Sequence, residues 1–252
     1  MAKDRLQTFF QPIISLSNGV NLGYEILNRP PEDSIFQSTE TFYDFVGQNE
    51  VLTDFEQYCI HLSTKRFGQI SQELTHRLDT LIFLNIAPQA LVQLEHHVTE
   101  FEQLLSLNWL LPSQIIFEMT EKQECPDYSV MEEPLITYRK AGFRFAVDDA
   151  GSGYNSLKTI LVIKPDFIKL DKSLIRFIDM RSDQQNILRL LVDVSERSGS
   201  KLVAEGIERP EEIEYLTAAG IHYGQGYAIG KPAPVLKEGL CESFPTGSRA
   251  LS

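Results

Sequence analysis

The chain has few cysteines, no long apolar segment and a deficit of basic side chains, and each shortage excludes a class of protein. Its three cysteines, Cys59, Cys125 and Cys241, are odd in number and share no metal-ligand spacing, so we expect free thiols and no disulfide scaffold. No apolar run approaches the roughly 20 residues that a membrane span needs, and the N-terminal residues resemble no secretion signal. We therefore expect a cytoplasmic protein without a membrane partner.

Acidic residues outnumber basic ones, with 35 Asp and Glu against 23 Lys and Arg and a formal net charge of −12. Proteins that coat nucleic acid present a basic surface, so neither DNA nor RNA polymers are expected partners. A small anionic substrate is still compatible with this charge, because bound divalent cations would reverse its local sign. The five histidines show no paired ligand spacing at strand ends, which argues against zinc: they are His61, His76, His96, His97 and His222.

No stretch rich in proline, glycine or serine divides the 252 residues. We expect one domain over residues 1–252, with a core at about 7–232 and a flexible C-terminal tail. Residues 9–27 read as two strands around Ser17-Asn18-Gly19. Apolar strand-like runs then alternate with helical patterns at 40–70, 88–107, 130–141, 186–199 and 210–219. This order predicts an α/β fold, a modified (β/α)₈ TIM-like barrel whose initial hairpin strand is antiparallel.

Seven apolar runs end at a charged or polar side chain suited to a metal or a substrate. The side chains are Glu25, Asn85, Glu118, Asp148 with Asp149, Lys169, Glu205 and Gln225. Strand ends of a parallel barrel converge on one rim, which carries the chemistry. Because alternate strand residues share a face, Leu81 and Phe83 should face the same side as Asn85. Oxygen ligands without histidine favour Mg²⁺ or Mn²⁺.

Asp148 and Asp149 are adjacent and would point to opposite faces of an ideal strand. We expect the strand to have ended before them, because Gly151 and Gly153 follow at once. Two neighbouring carboxylates repel each other unless a cation or a proton offsets their charge. A pair of metal ions, as in two-metal hydrolases, would supply that charge.

Each of these residues also has a simpler interpretation when it is taken alone. Asn85 suits a turn or the start of a helix. A polar turn would account for Asp148 with Asp149, and a surface carboxylate pair for Glu118 with Glu121. A structural ion pair would account for Lys169 with Asp166 and Asp171, and a helix cap for Glu205 with Glu208. What favours a functional site is their recurrence at the same end of successive strands.

Eight motifs resemble, in order, the signatures of the EAL-domain cyclic-di-GMP phosphodiesterases. They are Gln11-Pro12-Ile13, Glu25-Ile26-Leu27-Asn28-Arg29, Asn85-Ile86-Ala87-Pro88, Glu118-Met119-Thr120-Glu121, residues 148–157, Ile168-Lys169-Leu170-Asp171, Ala204-Glu205-Gly206-Ile207-Glu208 and Gln225-Gly226-Tyr227. The resemblance covers about residues 7 to 232. It implies hydrolysis of cyclic di-GMP to linear pGpG and a homodimer. Since the sequence shows no sensor domain, we expect regulation by a protein partner, by expression or by segments outside this sequence.

The resemblance also implies roles for individual residues. One metal would be held by Glu25, Asn85, Glu118 and Asp148, and a second by Asp149 with Glu205. Lys169 and Glu205 would activate the attacking water, and Gln225 would orient it or a ligand. Gln11, Leu27, Arg29 and Asp171 would contact substrate, with Arg29 on a phosphate, and Glu121 with Glu208 would brace the glycine-rich loop.

Two positions depart from the family pattern, and two other functions remain open. Ile26 replaces an alanine, and Ala150 replaces a phenylalanine in the glycine-rich loop, where Ser152 keeps a hydroxyl. We expect a loosely packed loop that Ala150→Phe would tighten, with higher activity or stronger dimerisation. The competing functions are a non-catalytic cyclic-di-GMP receptor or interaction scaffold, which would have lost ligands, and an enolase-type enzyme, which would need a capping domain.

Overall fold

The computed structural model describes residues 6–31, 33–36, 38–49, 51–74, 76–120, 128–151, 156–237 and 239, so the predicted flexible tail lies outside the described residues. Within them, eight strands close into a barrel in chain order. The strands are β1 (Gln7–Ser15), β2 (Asn21–Arg29), β3 (Leu81–Asn85), β4 (Ile115–Thr120), β5 (Arg144–Ala150), β6 (Phe167–Leu170), β7 (Lys201–Ala204) and β8 (Tyr223–Gly224). β1 pairs antiparallel with β2 and β8, and the other neighbours are parallel. The predicted modified barrel is confirmed.

Helices connect the strands. They are α1 (Thr39–Gly47), α2 (Leu52–Ile70), α3 (Pro88–Gln93), α4 (Val98–Leu107), α5 (Glu132–Lys140), α6 (Ser156–Ile163), α7 (Lys172–Ile175), α8 (Ser182–Ser198) and α9 (Pro210–Ala218). Among the described helices, none combines the length and the apolar character that crossing a membrane demands.

The prediction of one continuous helix over 88–107 was wrong. α3 ends at Gln93, a short 3₁₀ turn covers Glu95–His97, and α4 begins at Val98. Leu91, Leu94 and Val98 are nevertheless all buried. The apolar residues keep their helical spacing across the interruption between α3 and α4. Periodicity alone therefore did not reveal that the helix is interrupted.

An apolar layer fills the barrel interior beneath the predicted site. Its buried members are Ile13, Leu81, Phe83, Ile116, Ala146, Phe167 and Val203. Most of them precede a predicted site residue by two positions, as Ile116 precedes Glu118 and Phe167 precedes Lys169. Since residues two apart on a strand share a face, this layer directs the polar side chains into the barrel near its carboxyl end. β2 differs from the prediction, because it continues past Glu25 to Arg29.

β5 does not end before Asp148, which corrects the predicted strand boundary. The strand reaches Ala150, and its register with β6 shifts, with Val147 opposite Ile168 but Ala150 opposite Leu170. The extra residue makes a β-bulge, in which Asp149 has a φ of 57°. Aspartate tolerates this left-handed conformation better than most residues do. The bulge, and not the end of the strand, brings the carboxylates of Asp148 and Asp149 to the same site.

Ala150 is not in a loose loop, and that interpretation of the position was wrong. It is the last residue of β5 and is fully buried. Its carbonyl accepts a hydrogen bond of 3.0 Å from the backbone N–H of Asp171. The following residues 152–155, including Ser152, lie outside the described part of the chain.

We now expect Ala150→Phe to destabilise the protein, contrary to the effect inferred from the sequence. A ring at this packed position would displace core neighbours and lower the free energy of unfolding by about 1–3 kcal/mol. Equilibrium denaturation measures the change. The control is Ala218→Phe at the exposed end of α9, expected to stay within about 0.5 kcal/mol of the wild type. A higher midpoint for Ala150→Phe would reveal a cavity and restore the idea of a missing anchor.

Candidate metal centre

Lys169 lies at the centre of a buried carboxylate cluster, 1% exposed, inside the barrel. Its ammonium nitrogen is 2.6 Å from Glu205 Oε1, 2.8 Å from Glu118 Oε1, 3.4 Å from Glu25 Oε2 and 3.5 Å from Asp148 Oδ1. One positive charge therefore faces four carboxylates. Burying such an excess of negative charge is costly unless protons or further cations neutralise it.

Side-chain amides hold Glu25 from both sides. Asn85 Nδ2 donates to Glu25 Oε1 over 3.3 Å, and Gln225 Nε2 donates to Glu25 Oε2 over 2.6 Å. Gln225 Nε2 also lies 3.1 Å from Gln11 Oε1, and Gln11 Nε2 donates to the carbonyl of Gly230. Gln11, predicted to contact substrate, thus supports the orientation of Gln225 in this structure.

Burial and mutual repulsion raise the pKa values of three carboxyls in the cluster. Burial raises the pKa of Glu118 well above its ordinary value and outweighs the opposing effect of Lys169. Burial, followed by the charge of Asp148, raises the pKa of Glu205 to about 8. Burial likewise raises the pKa of Asp148, with Glu25 adding to the shift. The cluster therefore retains protons near neutral pH that a bound cation would displace.

The remaining two members of the cluster keep their charge. Burial alone would raise the pKa of Glu25, but Lys169 and the hydrogen bonds from Gln225 and Asn85 lower it on balance. Burial would lower the pKa of Lys169, but the surrounding carboxylates raise it well above its ordinary value. An ammonium–carboxylate pair thus persists at the centre of the site.

The donor atoms of this site fit a divalent cation. Asp148, Asp149 and Glu205 each offer a carboxylate oxygen, and these oxygens lie within 4.8 Å of one another. Neither oxygen of Glu118 has an aligned hydrogen-bond donor among the described residues, although the Lys169 ammonium forms an ion pair with it. Carboxylate and amide oxygens are the ligands that Mg²⁺ and Mn²⁺ prefer. The chemistry of the donor set is consistent with the predicted metal type.

A cavity of about 410 Å³ adjoins the cluster between β2, β3 and the helices α1 and α2. Glu25, Asn85, Glu118, Leu27, Arg29, Tyr43 and Glu56 are among the residues that line it. The guanidinium of Arg29 stacks on the ring of Phe9, 4.8 Å from its centroid. Leu27 and Arg29, both predicted to contact substrate, therefore lie beside the predicted metal ligands.

Glu56 and Tyr43 were missed by the sequence analysis. Glu56 is a buried carboxyl of α2, and burial raises its pKa to about 7, partly opposed by the backbone N–H of Ala87. The signal in the sequence was an acidic residue on an apolar helix face, next to Phe55 and one turn before Ile60. Such a residue is rarely fully buried without a partner, which marks it as a candidate for binding.

We expect the stability of the protein to depend on pH through Glu56. Its folded pKa of about 7 exceeds the ordinary 4.5, so the protonated carboxyl stabilises the fold below the ordinary value. That contribution is lost as the pH rises through 7, by about 2–3 kcal/mol between about pH 5 and pH 8. Glu56→Gln should remove this loss.

Denaturant titrations of wild type and Glu56→Gln at both pH values measure the effect. The control is Glu214→Gln, which alters an exposed carboxylate of α9 and should change neither curve. An equal difference between wild type and Glu56→Gln at the two pH values would contradict the linkage.

Three other residues predicted to belong to the site are not found in the acidic cluster around Lys169 among the described side chains. Asp171 accepts the backbone N–H of Ser173 and caps α7. The side chain of Glu208 is exposed, and the segment after β7 is held instead by buried Glu212, which accepts the backbone N–H groups of Glu208 and Arg209. Glu121 lies outside the described residues. The proposed brace of Glu121 and Glu208 on the glycine-rich loop stays a prediction.

Comparison with known proteins identifies the family to which this barrel is similar. The family model described as EAL domain matches residues 1–232. A relative from Escherichia coli K12, "Probable cyclic di-GMP phosphodiesterase PdeB", is 30% identical over 226 residues, which is 89% of this chain and 42% of that protein. The chain thus spans less than half of that relative's length.

Two solved structures share the fold. A standalone EAL protein from Vibrio cholerae O395, in its c-di-GMP-bound form, is 26% identical with a TM-score of 0.82, covering 94% of this chain and 97% of that one. The manganese and cyclic di-GMP complex of BlrP1 from Klebsiella pneumoniae is 26% identical with a TM-score of 0.80, covering 92% and 57%. The match over residues 1–232 is consistent with the barrel topology and with the residue cluster, and all three indicate one family. The chain belongs to the EAL domain family.

Proposed function

We propose that this protein hydrolyses cyclic di-GMP to linear pGpG with Mg²⁺ or Mn²⁺. The observation that carries the proposal is the complete acidic cluster around Lys169 at the carboxyl end of the barrel, beside a cavity. A receptor or scaffold that had lost catalysis would not need this costly concentration of buried charge. The name of the Escherichia coli relative and the ligands of the Klebsiella structure support the same substrate and cofactor class.

The acidic residues would hold two cations. Glu25, Asn85, Glu118 and Asp148 would hold the first, and Asp149 with Glu205 the second. Bound there, the cations would lower the pKa of a water molecule and neutralise the phosphoryl oxygens. Amide donation from Asn85 and Gln225 fixes Glu25, so its carboxylate is oriented before any ligand arrives.

Lys169 and Glu205 are proposed to act on the attacking water. Their 2.6 Å ion pair supports this assignment, because it holds an ammonium and a carboxyl group side by side at the carboxyl end of the barrel. With its own proton displaced when cations bind, the Glu205 carboxylate would take the proton of the water, and the Lys169 ammonium would stabilise the charge that develops on the phosphate.

The cavity beside the cluster is proposed to take one guanine base. Arg29, preoriented by its stacking on Phe9, would meet a phosphate, and Leu27 would pack against the base. The Glu56 carboxyl and the Tyr43 hydroxyl supply hydrogen-bonding groups in the same cavity. Tyr43 is itself held by donation to the carbonyl of Asn28 over 3.0 Å.

We further propose a homodimer that acts in the cytoplasm under the control of a protein partner. Exposed apolar side chains recur three or four residues apart on the helices that flank β6, namely Leu157 and Leu161 on α6 and Ile187 and Leu190 on α8. Such spacing puts each pair on one helix face. Because α6 follows the bulge that carries Asp148 and Asp149, a contact there would connect the dimer to the metal ligands. Sedimentation of Leu161→Ser/Leu190→Ser tests the contact.

The function is tested by incubating the purified protein with cyclic di-GMP and Mg²⁺ or Mn²⁺ and separating the products by chromatography. Linear pGpG is the expected product. Tight binding without turnover in any divalent metal would make the protein a receptor. If cyclic di-GMP is neither bound nor hydrolysed, the fold serves another metal-dependent reaction.

A further inference from the structure

Five apolar side chains are exposed at the end of the barrel opposite the metal cluster. We name them the basal patch: Ile70, Leu78, Leu107, Trp109 and Leu111, between 38% and 80% exposed. Ile70 and Leu107 end α2 and α4, and the other three lie in the connections that lead into β3 and β4. The helices return against the parallel strands, so these segments share the amino-terminal end of the strands.

The segments that carry the basal patch are bonded to one another. Arg77 Nη2 donates to the carbonyls of Gly68, over 3.3 Å, and Asn108, over 2.8 Å. Gln114 Nε2 donates in turn to the carbonyls of Arg77 and Thr80, over 2.8 and 3.0 Å. The patch is therefore one surface presented by a fixed set of connections.

Trp109 is held outward at a conformational cost. Its φ is 60° and its side chain is exposed, a left-handed conformation that is rare for a bulky residue. Leu110, its neighbour, is buried. The connection thus anchors itself with one leucine while it presents the indole and two further leucines to the outside.

The segment that carries Trp109 is uncharged, and basic residues lie at the same end of the barrel. Residues 104–115 contain no charged side chain, although 23% of the chain is charged. Exposed basic residues follow at the same end of the barrel, where α5, α6 and α8 finish and β7 begins: Lys140, Lys164, Arg197 and Lys201. The acidic residues of this end include Glu73, Asp79, Asp166 and Glu196, and Asp166 accepts the backbone N–H of Phe145. Arg77, Arg139 and Arg144 lie at the same end, so basic residues outnumber acidic ones there although the net charge of the chain is −12.

The basic residues adjoin the apolar ones. A Cβ built on Gly142, which follows α5, would lie 3.6 Å from Pro112 next to the patch. Arg139 donates to the carbonyls of Ile163 and Lys164, over 2.6 and 2.9 Å, and so joins the ends of α5 and α6. Lys140 and Lys164 therefore continue the surface that begins at Leu111.

We propose that the basal patch docks on an anionic membrane surface. Trp109 and the leucines would enter the headgroup region, where aromatic and apolar side chains are favoured, while the lysines would face lipid phosphates. An isologous contact between two copies would instead oppose like charges. The sequence-based expectation of no membrane partner rested on the lack of a spanning segment, which does not bear on surface docking. If the protein docks through the basal patch, its metal cluster would face away from the bilayer and stay open to substrate.

The chain supplies its own reporter, because Trp109 is its one tryptophan. Vesicles of phosphatidylcholine alone are compared with vesicles of equal parts phosphatidylcholine and phosphatidylglycerol. We expect a blue shift of the tryptophan emission and co-sedimentation with the anionic vesicles only, both weakened by high salt.

Paired variants separate the apolar from the charged contribution. Leu107→Ser/Leu111→Ser keeps Trp109 as the reporter. This double substitution should weaken vesicle binding at least tenfold, because the two leucine side chains would no longer be buried in the lipid. Lys140→Ala/Lys164→Ala should weaken vesicle binding about 25-fold, at about fivefold for each lysine. The control Ile35→Ser/Met180→Ser alters two apolar residues, 92% and 74% exposed, that follow β2 and β6 at the opposite end. It should bind as the wild type does, and all variants should retain wild-type circular dichroism.

Several results would overturn the proposal. The absence of binding to anionic vesicles, or binding without a change in tryptophan emission, would show that the patch does not enter a membrane. Equal loss of binding in the control would show a non-specific effect. Emission that is blue-shifted without lipid and reddens on dilution would assign the patch to a second copy of the chain. A shift produced by soluble polyglutamate as large as that produced by vesicles would assign it to an acidic protein.

Discussion

Chelation of divalent cations should abolish the proposed hydrolysis of cyclic di-GMP, and added Mg²⁺ or Mn²⁺ should restore it. The physical reason is the concentration of carboxylates around Lys169, whose mutual repulsion and raised pKa values disfavour a cluster without cations. Ca²⁺ should bind but support little turnover, because its looser coordination positions water less well. Product chromatography before and after EDTA treatment gives the result.

A second readout keeps metal binding separate from activity. Mn²⁺ should raise the thermal midpoint of the wild type, because a cation that binds the folded state stabilises it. Asp148→Asn should reduce this shift, whereas Glu214→Gln, which alters an exposed carboxylate of α9, should leave it unchanged. Undiminished hydrolysis in excess chelator would refute metal dependence, whatever the thermal data show.

Lys169→Met and Glu205→Gln should each lower turnover far more than they lower affinity for cyclic di-GMP. Loss of a charge-stabilising donor costs on the order of 10²–10³ in rate, and loss of a proton acceptor about 10²–10⁴. Both side chains lie within the cluster and face the reacting groups in the proposed complex. Turnover is measured in Mg²⁺, and binding is measured by calorimetry in Ca²⁺, which also reports whether each variant is folded.

Arg29→Ala is the matched contrast. It removes a guanidinium from the cavity wall and leaves the acidic cluster intact, so binding should weaken more than turnover. If Glu205→Gln retains full turnover, Glu205 is not the proton acceptor. If Arg29→Ala and Lys169→Met change binding and turnover in the same proportion, the division between substrate contact and catalysis is wrong.

The barrel and most of the cluster were predictable because both depend on local regularities. Apolar strand interiors that end in polar residues indicate a parallel barrel, and alternation along the strand puts Asn85 above Phe83 and Glu118 above Ile116. The roles carried over from the family resemblance agree with the placement of these side chains, but the placement by itself does not establish the roles.

Other features escaped the sequence because they depend on contacts between distant segments. The bulge at Asp149 comes from the pairing of β5 with β6, and it also buries Ala150, which the sequence analysis had placed in a loop. Glu56 became a candidate only when α2 packed against β2 and β3 and enclosed a cavity. The interruption between α3 and α4 was not predictable, because the apolar residues keep a helical spacing across it.

Residue type and periodicity determined which strands this chain forms, which side chains face inward and which chemistry they suit. Tertiary structure alone decided that Lys169 is surrounded by four carboxylates and that Glu212 holds the segment after β7. It also decided that hydrogen bonds from Arg77 join the segments that carry the basal patch. The reason is physical. Periodicity reports the direction of a side chain relative to its own backbone, whereas distances between residues far apart in sequence, and the pKa shifts that follow from them, are set by packing.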